Sequence, residues 1–351
     1  MTTPTKRLSL PDPVLTDRYL HVVGDGDEAA AIALVTGLLA DGVPPARVIV
    51  DLIGAAQRRV GELWAANDWS IAREHAATAV SERALATVGA LSPAQAYRGR
   101  ITLACVDGEW HGLPARMFAE LLRLDGWRVD FLGASVPGRH LITHLHQTGP
   151  DAVALSCMIP TRLPRAHTAI TACRAAGIPV IAGGRGFGPD GRWAQLLGAD
   201  AWAATGEEAV ERLVTLTASS AADIPSFGDL NGFASPSDEE YTHLVRARPH
   251  LIATAMERLA ATYPEAHQYT RDQADATAED LGHIVDFLAA ALYIGDPQIF
   301  TDFTSWTAEV LASRHVPPAA LEAGLRLIQD QLIDFPTATT MLDAGLATLS
   351  R

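Results

Sequence analysis

From Tyr19 to about Leu91 the apolar residues recur at intervals of three and four, as in Ile32, Val35, Leu38 and Leu39, then Val48, Leu52, Ile53, Val60, Leu63 and Trp64. That spacing lays an apolar stripe along one face of a helix. Breaks at Asp41-Gly42 with Pro44-Pro45, at Asn67-Asp68 and at Ser92-Pro93 divide the stretch into about four helices, which predicts a small bundle over residues 14–92. From Arg100 the period changes. Short β-type runs (ITLACV, WRVDFLG, AVALSCM, PVIAGG and DAWAA) alternate with helical segments from Arg116 to Asp125, after Pro137, and from Arg165 to Ala176. Alternation of this kind predicts a parallel sheet wrapped by helices over residues 98–218, with ligands gathering where strand order reverses. Between Ser219 and Asp238 the chain is rich in Ser, Ala, Gly, Pro and Asp and reads as a linker. Residues 238–351 return to helical spacing. Breaks at Tyr263-Pro264, Gly295-Asp296-Pro297, Val316-Pro317-Pro318 and Phe335-Pro336 cut them into about four to six helices.

Composition narrows the function. Over 351 residues, 41 acidic side chains stand against 27 Lys and Arg, with no basic run, so direct nucleic-acid binding is not expected. No stretch approaches the ~20 apolar residues of a membrane span, and the opening MTTPTKRLSLPDP lacks the apolar run of a signal peptide. A cytoplasmic protein without a membrane partner is expected. Cys105, Cys157 and Cys173 lack metal-ligand spacing and read as small buried apolar side chains.

The loop after the first predicted strand, Asp107-Gly108-Glu109-Trp110-His111-Gly112-Leu113-Pro114, leads directly into a helix. A histidine there faces any ligand lying across the carboxyl edge of the sheet. Glu109 can hold one ring nitrogen and leave the other for a metal. This section resembles the cobalamin-binding domain of methionine synthase, of the B12-dependent mutases and of CarH-type photoreceptors. That family carries Asp-x-His-x-x-Gly after the first strand, Ser-x-Leu after the third and Gly-Gly after the fourth. Here Glu109-x-His111-x-x-Pro114, Ser156-Cys157-Met158 and Gly183-Gly184 stand in the same order. The departures are Glu for Asp, Met for Leu and Pro for Gly, the last tolerated in a first helical turn. The resemblance implies a flavodoxin-like (Rossmann-like) domain that binds cobalamin base-off. His111, followed by Gly112, would ligate cobalt, and the benzimidazole tail would enter a slot lined near Ser156, Met158, Gly183 and Gly184.

In the bundle, Trp64 precedes Glu74-His75 by ten positions. This arrangement resembles the helical cap of CarH-type adenosylcobalamin photoreceptors, where a Trp, nine residues, then Glu-His cover the adenosyl group. The histidine that follows the Trp in those proteins is Ala65 here, so a different cobalt ligand, His75 or water, is implied after illumination.

The third section offers aromatic surface in Phe287, Tyr293, Phe300, Phe303 and Trp306, with His283, Arg314 and His315 as polar anchors. A core stripe accounts for most such residues. The section also resembles the globin-related, phycobilin-type helical domains of bacterial sensors, and the three-part order resembles the photocobilins, which add biliverdin. With no cysteine beyond Cys173, a bilin would be held non-covalently, His283 being the first residue to test. The resemblance implies an adenosylcobalamin light sensor rather than an enzyme, assembling as a light-dependent homo-oligomer and signalling to an unnamed partner. The alternatives are a corrinoid methyl carrier of a methyltransferase system and a plain cobalamin-binding scaffold.

Overall fold

Asp12 opens the first helix: its carboxylate accepts the amides of Val14 (3.0 Å) and Leu15 (3.4 Å), and Pro13 takes the first helical position, where no amide partner is needed. In the computed structural model, which describes residues 10–218, 238–262 and 270–350, α1 (Pro13–Gly24) is followed by α2 (Glu28–Ala40), α3 (Pro45–Arg47), a π-helical stretch Val48–Gly54, α4 (Ala55–Ala65) and α5 (Ile71–Leu91). The segment from α3 through α4 is continuous, so four rods form, broken at the expected Asp41-Gly42 with Pro44-Pro45, Asn67-Asp68 and Ser92-Pro93 and also at Asp25–Asp27, which the spacing does not predict. Asp27 caps α2 through the Ala30 amide (2.9 Å), and Ser70 caps α5 through the Arg73 amide (3.2 Å). Tyr19, Leu38, Ile49, Leu52, Ile53 and Leu85 fill the core and are fully buried.

The next section alternates strand and helix as predicted: β1 (Arg100–Val106), α6 (Gly112–Leu124), β2 (Arg128–Val136), α7 (Gly138–Thr148), β3 (Ala152–Ser156), α8 (Leu163–Ala175), β4 (Val180–Gly183), α9 (Arg192–Leu196), β5 (Ala201–Ala203) and α10 (Gly206–Ala218). All pairings are parallel, in the order β2-β1-β3-β4-β5. β1 has β2 on one side and β3 on the other, so the direction of winding reverses there and the carboxyl ends of β1 and β3 flank a crevice. Leu113 and Leu121 of α6 belong to the same apolar cluster as the bundle's side chains. Bundle and sheet thus share a core and fall in one compact unit, Met1–Met158 with Arg165–Phe227. The three cysteines are buried and in no disulfide; burial pushes Cys105 and Cys173 up to about 12.

Arg100, at the start of β1, forks onto Asp130 of β2 (2.7 and 3.2 Å), and His144 of α7 reaches the same carboxylate (3.2 Å). Burial pushes Asp130 up, but Arg100 and then His144 outweigh it and hold the carboxyl below its usual range. A lowered folded-state value means stabilisation that is complete above the ordinary carboxylate range, about pH 4, and is lost as pH falls through the lowered value. Asp130→Asn should therefore show a smaller loss of unfolding free energy than the parent between pH 7 and pH 3, read by urea titration. An equal loss would count against this account.

The second unit, Gly228–Arg351 with Ile159–Pro164, contains α11 (Asp238–Thr262), α12 (Arg271–Ile294), α13 (Gln298–Ser313), α14 (Pro318–Gln329) and α15 (Pro336–Leu349). These five helices fall within the expected number. Residues 219–237 of the expected linker and the Tyr263-Pro264 break lie outside the described residues. Thr270 and Gln273 form a reciprocal capping box at the start of α12 (3.2 and 2.9 Å). Arg248 of α11 clamps Asp286 of α12 with two bonds (2.7 and 2.9 Å). Among the described residues no helix is long and apolar enough to cross a membrane.

Candidate functional site

Past β1 the chain turns at Gly108, which adopts φ +78. Glu109 follows, only 1 % exposed. The turn is fixed from the next strand: Ser135 Oγ accepts the Gly108 amide (3.0 Å), and the Ser135 amide donates to the Glu109 carbonyl (2.8 Å). Ser135, in left-handed backbone at φ +50, had no signal in the sequence.

His111 stands at the N-terminal boundary of α6 without a side-chain capping bond, and Glu109 holds it in place. Glu109 Oε1 accepts both the His111 amide (2.9 Å) and His111 Nδ1 (2.6 Å). Oε2 accepts the Met158 amide (2.7 Å), just past the end of β3. One buried carboxylate therefore ties the two sides of the crevice together. With Nδ1 engaged, Nε2 is left as the ring's outward lone-pair site, and the side chain is 55 % exposed. Burial pushes Glu109 up, but the His111 side chain and the His111 and Met158 amides outweigh it and hold the carboxyl below its usual range. His111 is raised mainly by the Glu109 hydrogen bond; burial opposes this, the charges of Glu109 and Glu74 add to it, and Arg185 opposes. Glu74, far away in sequence, thus acts on His111 electrostatically.

Around Glu74 the bundle supplies a polar chain. Glu74 and His75, in the first turns of α5, are hydrogen-bonded to each other through His75 Nδ1. Thr78 Oγ1 lies 3.2 Å from Glu74 and 3.1 Å from Gln57 Oε1, and Gln57 Nε2 donates to Ser81 Oγ (2.8 Å). Sequence reasoning missed Gln57 and Thr78, since neither belongs to a recognisable motif. Trp64 is half-buried near the end of α4.

Ser156, half-buried at the end of β3, pairs in register with Gly183 of β4. The two glycines differ in kind. Gly184 has φ +99, and a Cβ there would stand 2.3 Å from the Cys157 carbonyl oxygen, so the fold itself requires this glycine. A Cβ on Gly183 would meet only the Ala203 carbonyl, at 3.9 Å. Nothing internal demands a glycine at 183. Gly112, on the ligand side, is equally free: its Cβ would meet only Ala134, at 3.7 Å.

In the second unit, most of the aromatic residues pack together. Phe287 stacks on Phe303 (4.1 Å), and Phe300 is fully buried. Trp306 is 46 % exposed. His283 is exposed on α12; its charge and that of Arg314 act on Asp280, whose carboxyl burial pushes up. His315 is exposed just beyond α13. No group of three or more His, Cys, Asp or Glu able to hold a metal ion occurs among the described residues.

Residues 99–214 match the family profile described as the B12 binding domain, and residues 15–88 match a second profile of the same description. The HTH-type transcriptional repressor CarA of Myxococcus xanthus is 40% identical over 120 residues, 33% of this chain and 41% of that protein. A corrinoid protein of Desulfitobacterium hafniense (strain Y51) is 26% identical over 119 residues, 32% of this chain and 54% of that protein. The chain therefore spans 41% and 54% of the length of these relatives. Among solved structures, the monomethylamine corrinoid protein of Methanosarcina barkeri superposes with a TM-score of 0.51 at 18% identity, over 58% of this chain and 98% of that one, which shows a shared fold. The chain thus carries B12 binding domains over residues 15–88 and 99–214, both in its first unit apart from Ile159–Pro164. The site suits the cofactor: it offers one outward imidazole nitrogen on a buried carboxylate, and an open cradle beside Gly183.

Proposed function

We propose that this protein is a light sensor that holds adenosylcobalamin base-off, with His111 beneath the cobalt, and biliverdin as a second, non-covalent chromophore. The observation that carries the reading is convergence: Glu74 of the bundle lies close enough to act on His111 of the sheet domain. Two segments more than thirty residues apart thus come close to one another. Bound adenosylcobalamin supplies a cobalt–carbon bond that visible light cleaves. Glu109 orients His111 and keeps its Nδ1 occupied. Trp64 shields the upper face from water, while Glu74 and His75 offer polar contacts to a ribose. The adenosyl group would stabilise the closed cap only while attached, so its loss shifts the population of bundle arrangements and, with it, subunit packing. No turnover of a substrate is required. In the second unit, His283 and Arg314, gathered near Asp280, are the groups proposed to meet a bilin propionate.

After reconstitution with adenosylcobalamin in the dark, green light should convert the visible spectrum to that of a cobalamin without its adenosyl ligand and alter the sedimentation coefficient. Added biliverdin should give a far-red band. A spectrum unmoved by light would sink the sensor reading and favour the second one, a corrinoid methyl carrier. That alternative is supported by Ala65, which denies the cap the second histidine of the photoreceptors.

A further inference from the structure

The segments that follow β3 and β4 carry several arginines, and their surroundings differ. Arg165 pairs with Asp107 (3.6 Å) and donates to the Asp107 carbonyl (3.3 Å). Arg192 lies over the Trp193 ring, 5.5 Å from its centroid. Arg185, next to Gly184 and opening the 3₁₀ turn Arg185–Phe187, is exposed; its carbonyl accepts the Gly188 amide (3.1 Å), but its side chain makes no hydrogen bond or ion pair with any described residue. It follows the carboxyl end of β4, on the same edge of the parallel sheet where His111 follows β1.

Resting on the cobalamin reading above, we infer that Arg185 is the specificity residue for the nucleotide tail, its guanidinium binding the tail's phosphodiester at the mouth of the slot that Gly183 leaves open. The chemistry fits. Displaced from cobalt, the benzimidazole carries its phosphodiester with it, a singly charged group with two free oxygens, and a guanidinium fork matches such a pair. The two glycines preceding Arg185 bring backbone, rather than side chains, to the tail, so the first long side chain beyond them is placed to meet its charge. Gly186 donates to the Cys157 carbonyl (2.9 Å), which pins the loop that presents Arg185.

Hydroxocobalamin and diaquocobinamide, which lacks the nucleotide, separate this role from every other. For Arg185→Gln, affinity for hydroxocobalamin should fall about tenfold, the loss of one charge-assisted contact. Affinity for diaquocobinamide should stay as in the parent, and Arg185→Lys should recover part of the loss. Raising salt should weaken cobalamin binding by the parent more than by Arg185→Gln. An equal loss with both corrinoids would overturn the assignment, because Arg185 would then act only through the field at His111; no loss with either would overturn it as well. If the parent takes up neither corrinoid, the cobalamin reading itself fails, a result distinct from both.

Discussion

His111→Ala should abolish the base-off, His-on spectrum and reduce corrinoid affinity by more than the roughly 10–100-fold that loss of a partner behind a metal ligand costs. The variant is a clean probe because the side chain is 55 % exposed and packs little. Its backbone amide still donates to Glu109, as does that of Met158, so the buried carboxylate keeps two of its three bonds to these residues. The expected destabilisation is therefore about 1.5–3 kcal/mol, the contribution of one hydrogen bond to a charged group. Equilibrium titration with hydroxocobalamin, together with urea unfolding of the cofactor-free protein, reads both quantities. Unchanged uptake and colour would remove the basis of the functional account.

Gly184→Ala is expected to give the largest loss of stability. The substitution places a Cβ 2.3 Å from the Cys157 carbonyl oxygen and 2.9 Å from its carbon, both backbone atoms, at φ +99. Left-handed strain of about 1–3 kcal/mol adds to an overpacking cost of about 1–3 kcal/mol. Because Cys157 also accepts the Gly186 amide and donates to the Gly183 carbonyl (3.0 Å), the clash cannot be relieved locally. A fall in unfolding free energy of roughly 2–6 kcal/mol should follow, measured by urea titration without cofactor. Gly183→Ala provides the contrast: stability within about 0.5 kcal/mol of the parent, but weaker corrinoid uptake, because the new methyl points into the open cradle. Equal behaviour of the two variants would refute the division of labour between the glycines.

Much of this architecture was legible because local signals agreed with the tertiary outcome. β1 and β3 are buried almost throughout, and their unbroken apolar runs identify them. β2 shows where the reading stops short. Its apolar run ends at Gly133, where a glycine suggests a turn, yet the strand continues to Val136. Gly133, at φ +87, faces a register shift between Leu103 and Ala104 of β1, and a bulge, not a turn, absorbs the positive dihedral. The π-helical stretch Val48–Gly54 was equally invisible, because its apolar spacing passes for ordinary helix.

At the site, the Glu109–His111 pair was legible from a spacing of two, since the first shared hydrogen bond is local. The Met158 amide, Ser135, Thr78 and Gln57 were not, because each reaches the site through tertiary folding. Arg185 stood beside a recognised glycine pair, but only its side chain's lack of a hydrogen-bond or ion-pair partner among the described residues distinguishes it from Arg165 and Arg192.

The leucines that α6 lends to the bundle have a consequence for how such proteins can be taken apart or recombined. Leu113 lies two positions beyond His111, so the helix that His111 begins is also part of the bundle's apolar core. Severed near residue 95, each half would carry an unmatched greasy face, and transplanting the bundle onto a foreign sheet would require α6 to come along. Gene fusions that reshuffle these sections should therefore cut after residue 218, leaving the first two joined.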